Sequence, residues 1–325
     1  RVLRAGGRLS VYPRAFATLV AARLGRGRLG GRRPDVVVDT QNGVPFFGRV
    51  AGVAPTVVLV HHCHREQWPV AGPVLARVGW FTESRLSPRV HRRDRYVTVS
   101  QPSADELVVL GVDRERITVV RNGIDPVPDL PDSPGAAGAK RLIVVARLVP
   151  HKQVEDALDV VAALRTRGVP VHLDVVGGGW WAEELLTHAR RLGLDDEVTF
   201  HGHVDEVRKH QLLSQADLHL MPSRKEGWGL AVIEAAQHSV PTVGYRSSAG
   251  LTDSIVDGET GLLVSGLSEL ADAAAALLDD RARLTAMGRA AHARAGRYSW
   301  EATADGFEDV FRELGMSSLS RAEGR

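Results

Sequence analysis

Two acids eight positions apart pose the first question. In SRKEGWGLAVIEAA, residues 223–236, Glu226 stands before the turn Gly227-Trp228-Gly229, and Glu234 lies inside a run of helical character. Glycine lets backbone N–H groups come close to a ligand. A helix opening near Leu230 aims its unpaired N–H groups and partial positive charge into the same space, which suits an anion. The carboxylates would repel that anion, but they can accept hydrogen bonds from hydroxyls. The pattern fits a ligand with phosphate in its middle and hydroxyls at both ends.

Cations for such a phosphate stand in ARLVPHK. Arg147 can grip phosphate with two parallel hydrogen bonds, and Lys152, five residues on, can act as a mobile point charge. Two more clusters follow β-rich runs: the triple glycine of VVGGGWW, centred on Gly178, and FHGHV, with His201, Gly202, His203 and Val204. Ligands of open α/β sheets bind at the carboxyl ends of the strands, so all four clusters would meet on one sheet edge. A nucleoside-diphosphate sugar satisfies the set, with Glu226 facing the sugar and Glu234 a ribose. Each residue alone reads more readily as solvated surface; the convergence carries the weight.

The rest of the chain sets the frame. At 325 residues it has room for two domains, and 44% hydrophobic with 25% charged residues describes an ordinary globular protein. A formal net charge of +2 gives no overall attraction to nucleic acid. The single cysteine, Cys63, excludes an internal disulfide and fits a reducing, cytoplasmic setting. No apolar run approaches a membrane span, and no secretory signal is recognisable. Arginine greatly outnumbers lysine, so a lone arginine says little. Residues 1–33 hold nine arginines and no acid. Residues 12–29, with Arg14, Arg23, Arg26 and Arg28, read either as a patch for anionic lipid at an inner membrane face or as a solvated helix.

Short β-branched runs alternate with helical patterns almost throughout, which predicts βαβ units and parallel sheets. Strands are expected at 34–40, 56–62, 95–100 and 116–125, with a helix capped by Ser103 and Glu106. The Pro/Gly-rich stretch 126–140 reads as a linker. Beyond it come strands at 141–148, 171–177, 197–202, 218–223, 241–245 and 260–264. Helices are expected between them at 154–167, 182–193, 206–216 and 230–238. The predicted class is α/β, with two Rossmann-like parallel-sheet domains facing across a cleft.

At these residues the sequence resembles the GT-B glycosyltransferases of family four. MPSRKEGWGLAVIEAAQHSVPTVGYRSSAGLTDSIVDGETGLLV resembles the family's E-x7-E donor motif and the segments that follow it. VARLVPHKQVEDAL is similar to its Arg…Lys phosphate motif, VVRNGID to the close of the first domain, and YSWEATADGFEDVF to the last helix. The resemblance implies an N-terminal acceptor-side domain at 1–125, lacking its opening βαβ unit, and a donor domain at 141–297. It also implies a helix at 298–316 returning to the first domain.

Carried across, the family pattern gives Arg147 and Lys152 to the diphosphate. Glu226 goes to the transferred sugar, with Gly227, Trp228, Gly229 and Leu230 as its loop, and Glu234 to the ribose. The backbone of 201–204 would meet the base. In VVLVHHCHREQW, His61 or else His62 takes the place of the histidine near the reaction centre. HHCH has no matching ligand set elsewhere, so zinc is not expected. GGGWW departs from the usual acidic G-D-G turn, leaving Trp180 and Trp181 either to cover the site or to pack.

The implied reaction moves a hexose from a UDP- or GDP-linked donor to the hydroxyl of a lipid, small molecule or glycan, with retention. No D-x-D pair occurs, and neither a metal nor any cofactor beyond the donor is expected. A nucleotide-sugar epimerase and a catalytically silent nucleotide-sugar-binding module are the rivals. A dinucleotide oxidoreductase fits poorly, because G-x-G-x-x-G is absent.

Overall fold

The computed structural model describes residues 10–27, 34–130 and 139–315, together with Gly7. The chain divides into two compact units, Arg1–Arg121 with Glu301–Arg325, and Asn122–Trp300.

Four parallel strands in the order β1-β2-β3-β4 form the sheet of the first unit: β1 Val37–Thr40, β2 Thr56–Val60, β3 Arg95–Thr98 and β4 Ile117–Val119. The helices of this part are α1 Val11–Arg23, α2 Gly48–Ala51, α3 Pro73–Phe81, α4 Ser87–Val90 and α5 Gln101–Val109. One wide π-type turn, Thr82–Leu86, joins α3 to α4 without interrupting the helical run. Strand alternation sends Val58, Val60 and Tyr96 to one face, where they pack with Leu107 and Val112. Val57 and Val97 go to the other.

Helix α5 begins earlier than its capping pattern suggested. Ser100, not Ser103, is the N-cap, its Oγ accepting from Ser103 N at 3.2 Å. Pro102 explains the shift: it lacks an N–H and has a helical φ, so it belongs in the first turn.

The second unit carries six parallel strands in the order β10-β9-β8-β5-β6-β7. They are β5 Lys140–Val145, β6 Val171–Val176, β7 Val198–Gly202, β8 Leu218–Met221, β9 Thr242–Tyr245 and β10 Gly261–Val264. Between and after them run α6 Val154–Thr166, α7 Ala182–Leu192, α8 Glu206–Gln215, α9 Leu230–Gln237, α10 Leu251–Ser254, α11 Leu267–Asp279 and α12 Arg281–Ala295. Leu142, Val144, Leu173 and Leu220 bury one sheet face under α6, α7 and α11. Ile143 and Val176 bury the other against Leu212, Leu213 and Ala235. Both faces are covered, which is why these strands read as continuous apolar runs.

The topology fixes where a ligand belongs. Strand β5 comes first in this sheet yet lies in its middle, between β6 and β8. The chain winds outward to β7, then crosses back to place β8 on the far side of β5. In open α/β sheets ligands bind at such a reversal, outside the carboxyl ends of the strands that flank it, here β5 and β8.

The last helix, α13 Trp300–Glu313, belongs to the first unit beyond its first residue. Phe307, Val310 and Phe311 pack on Val57, Val97 and Val120, and Thr303 Oγ1 donates to the Arg121 carbonyl at 2.9 Å. The division between units falls after Arg121, ahead of the expected boundary at 125. Residues beyond it are tied to the second unit, Trp300 Nε1 and Gln237 Nε2 donating to Asp125 at 2.7 and 2.8 Å. Of the expected linker, 131–138 lie outside the described residues, as does Arg28.

Candidate active site

The two loops at the reversal point are held together by the residues that the sequence singled out. Lys152 ends the short 3-10 turn after β5, and Glu226 lies in the loop after β8. Lys152 Nζ is 2.5 Å from Glu226 Oε1, with side chains 13% and 9% exposed. Arg224 N also donates to the His151 carbonyl at 2.9 Å, so backbone and side chain both join the loops. Arg147 is exposed, and its guanidinium makes no hydrogen bond or ion pair with the described residues.

Glycines bring further backbone to this edge. Gly229 has φ +93° and precedes α9, a conformation that side chains disfavour. A Cβ on Gly250 would lie 2.4 Å from the Glu226 carbonyl oxygen, so its absence lets the RSSAG loop after β9 reach the Glu226–Gly227 backbone. The triple glycine works the same way. Cβ atoms on Gly177 and Gly179 would fall 1.9 Å from Ala146 O and 2.0 Å from Leu148 O. The freed space is used: Leu148 N donates to Gly178 O at 3.0 Å, and Gly177 N donates to Gly202 O at 2.8 Å. Gly178 is the roomy member, where a Cβ would be 3.9 Å from the nearest atoms of His203. The loops after β5, β6 and β7 are thus stitched edge to edge.

The tryptophans divide by role. Trp228, in the loop that follows Glu226, is 2% exposed and packs edge-on against Tyr298 at 4.8 Å. Its bulk and apolarity make it the anchor of the glycine turn. Trp181 packs against the sheet core and donates to Glu155, while Trp180 is 62% exposed. His201 points away from the edge, Nε2 lying 2.7 Å from Oδ1 of buried Asp174. This leaves its backbone, with Gly202, exposed His203 and Val204, on the edge.

Glu234 has a partner that sequence reasoning missed. Lys209 Nζ, on α8, lies 2.9 Å from Glu234 Oε1 and 2.7 Å from Glu206 Oε2. Desolvation alone would lower the Lys209 pKa, but hydrogen bonds to both carboxylates outweigh it and raise the value above normal. The ammonium stays charged and fixes the Glu234 carboxylate. A signal was present: the chain has just four lysines, and Lys152 and Lys209 are two of them. Beside this pair, His210 Nδ1 and His238 Nε2 are 2.8 Å apart. Desolvation, then repulsion from His210 and His292, pushes the pKa of His238 down to about 4.

In the first unit the HHCH turn follows β2. The His61 ring is exposed and makes no hydrogen bond with the described residues. Crowding by protein, with His64 second, lowers its pKa and favours the neutral base. His62 Nε2 lies 3.1 Å from Gln67 Nε2. His64 is braced from both sides, by Asn42 Oδ1 at 2.7 Å and by Glu83 Oε1 at 3.2 Å. Fully buried Glu83 also accepts from Trp68 Nε1 at 2.7 Å. No local pattern marks Glu83, which sits in the wide turn after α3.

The chain is similar in sequence and in fold to known proteins. Residues 129–294 match the family model for glycosyl transferases group 1, and residues 2–127 match that for glycosyltransferase family 4. The chain is 32% identical over 289 residues to a GDP-mannose-dependent alpha-(1-6)-phosphatidylinositol monomannoside mannosyltransferase of Mycobacterium tuberculosis, spanning 81% of this chain and 71% of the relative. It is 36% identical over 276 residues to a D-inositol 3-phosphate glycosyltransferase of Nocardia farcinica, spanning 79% and 60%. The crystal structure of Anabaena HepE in complex with UDP-glucose superposes with a TM-score of 0.74 at 20% identity, over 94% of this chain and 82% of that one. The fold is GT-B, and the chain belongs to the family-four glycosyltransferases, with a group 1 glycosyl transferase domain.

Proposed function

We propose that this protein transfers a hexose from a UDP- or GDP-linked sugar to an acceptor hydroxyl, with retention and without a divalent metal, in the cytoplasm. The observation that carries this reading is the Lys152–Glu226 bridge across the reversal point, beside the N-terminus of α9. It gathers a cation, a carboxylate and the start of a helix on one edge, the chemistry a sugar diphosphate needs.

In this reading Arg147, Lys152 and the amides at Gly229 and Leu230 hold the diphosphate and stabilise its growing negative charge. Glu226 accepts from hydroxyls of the transferred sugar, and Glu234, fixed by Lys209, accepts from the ribose. The bond between the anomeric carbon and the phosphate oxygen breaks as the acceptor oxygen bonds to that carbon from the same face. The acceptor proton passes to the departing phosphate oxygen. His61, neutral and with free ring nitrogens, is the candidate for holding a sugar or acceptor hydroxyl in the first unit.

The names of the two relatives suggest acceptors with an inositol ring. Purified protein is incubated with GDP-mannose or UDP-glucose and with D-inositol 3-phosphate or phosphatidylinositol monomannoside, with and without chelator. An α-linked product from an α-linked donor, unchanged by chelator, is expected. Inverted product, chelator-sensitive turnover or an epimerised donor would remove the corresponding part of the proposal.

A further inference from the structure

The helical run from Pro73 to Val90 has two unlike sides. Its inner side is buried: Gly79 lies under the Trp68 ring, where a Cβ would be 2.2 Å from a ring carbon, and Glu83, Ser84 and Ser87 follow at helical spacing. The outer side exposes Val74, Leu75, Val78 and Phe81, at 72%, 58%, 58% and 59%. These are successive neighbours on one helix face. Val70, just upstream, is 71% exposed. Isolated exposed apolar residues are ordinary, but a continuous row of them on one helix marks a contact surface.

Charge identifies the partner. Residues 67–93 contain five arginines and a single acid, Glu83, which is fully buried. Arg77, Arg85 and Arg89 are exposed on the same run as the apolar row. A second copy of this chain docked on this face would bring like charges together, which disfavours self-association. An anionic lipid surface takes both components: the apolar row enters the headgroup–acyl boundary while guanidiniums reach to phosphates. At 1.5 Å per residue the run is roughly 27 Å long, enough to lie in the interface. Its far end continues the apolar character, since Leu86 and Val90 line an open hollow of about 450 Å³ with Phe16, Phe46 and Phe47.

We propose that the outer face of the Pro73–Val90 run docks the protein on an anionic membrane surface, Val74, Val78 and Phe81 inserting and Arg77, Arg85 and Arg89 pairing with lipid phosphates. This assignment is independent of the transferase reading. It concerns a different face from residues 12–29. In α1, Phe16, Leu19 and Val20 pack inward, and Arg23 donates to the Ala51 carbonyl at 3.3 Å.

Co-sedimentation with vesicles tests the proposal. The intact protein is expected to bind vesicles of equal parts phosphatidylcholine and phosphatidylglycerol, and at least about tenfold more weakly to phosphatidylcholine alone. Each arginine near an anionic surface contributes about fivefold. The variant Arg77→Gln/Arg85→Gln/Arg89→Gln should therefore lose most of the preference and its salt dependence. Val74→Ser/Val78→Ser/Phe81→Ser should weaken binding about tenfold or more. Circular dichroism and melting check each variant, and if the apolar triple unfolds, Phe81→Ser alone supplies the readout. Undiminished binding by these variants, equal binding to neutral vesicles, or a concentration-dependent dimer abolished by the apolar triple would overturn the assignment.

Discussion

Lys152 and Glu226 form a nearly buried ion pair, 2.5 Å from nitrogen to oxygen, that spans the two loops flanking the centre of the second sheet. Each partner needs the other while no ligand is bound, because an uncompensated charge there would be costly. Glu226→Gln removes the charge and one acceptor while keeping the shape. Transfer is expected to fall about ten- to hundredfold, the cost of one hydrogen bond to a charged group. The variant should still melt cooperatively. A steady-state assay with wild-type turnover would remove Glu226 from the sugar.

Lys209 offers a cleaner separation of binding from chemistry, since it touches Glu234 and lies one residue removed from the proposed ligand. Lys209→Met leaves Glu234 without its fixed cation. Affinity for the nucleotide should weaken about tenfold, equivalent to roughly 1.4 kcal/mol, with kcat changed little. Lys209→Arg should recover part of the loss. Calorimetry with UDP and GDP reads the first effect and single-turnover kinetics the second.

Glycine positions are predicted to differ sharply in tolerance. Gly177 has φ +129° and no space for a Cβ beside Ala146 O, whereas Gly258 has φ +80° and nothing within 4 Å. Gly258→Ala should cost about 1–2 kcal/mol, the price of a left-handed backbone. Gly177→Ala adds a backbone collision and should cost clearly more. Denaturant melts of both variants rank the two effects.

Acid sensitivity should trace in part to His219, fully buried in β8, where desolvation lowers its pKa from 6.5 to about 3. The unfolded imidazole takes a proton below pH 6.5 that the folded one refuses down to about pH 3, so stability should fall across that window. The loss can reach a few kcal/mol in order of magnitude. Replacement by leucine should flatten this part of the pH dependence. Melting temperatures collected from neutral to acid pH for both proteins give the comparison.

His61 should leave a kinetic signature. Burial, then His64, lowers its pKa, so an acid limb of activity that belongs to this ring should lie below the ordinary imidazole range. His61→Ala should reduce turnover and erase that limb. An unchanged acid limb in the variant would assign it to another group.

The alternation of strand and helix was legible because each signal is local. Buried parallel strands such as 142–145 are continuous apolar runs, and α6 and α9 begin within a residue of where their patterns start. Glycine turns and the Arg147…Lys152 spacing lie close in sequence to the strands they follow, so the sheet edge that gathers them could be read locally. Three things were not local. The partner of Glu234 comes from 25 residues away, on another helix. Glu83 braces His64 from 19 residues away. Helix α3 carries apolar residues on its outside as well as against Trp68, so it lacks the one-sided periodicity that reveals an ordinary surface helix.

Strand β5 is made first and ends in the middle, and the residues that meet above it are 74 positions apart. A nascent chain that stops before β8 can complete three strands yet holds half of the cradle. The Lys152–Glu226 bridge is therefore an emergent property of the finished sheet. Any ligand captured there favours the folded over the unfolded chain in proportion to its concentration and affinity, so substrate supply itself would tune how long this domain survives in the cell.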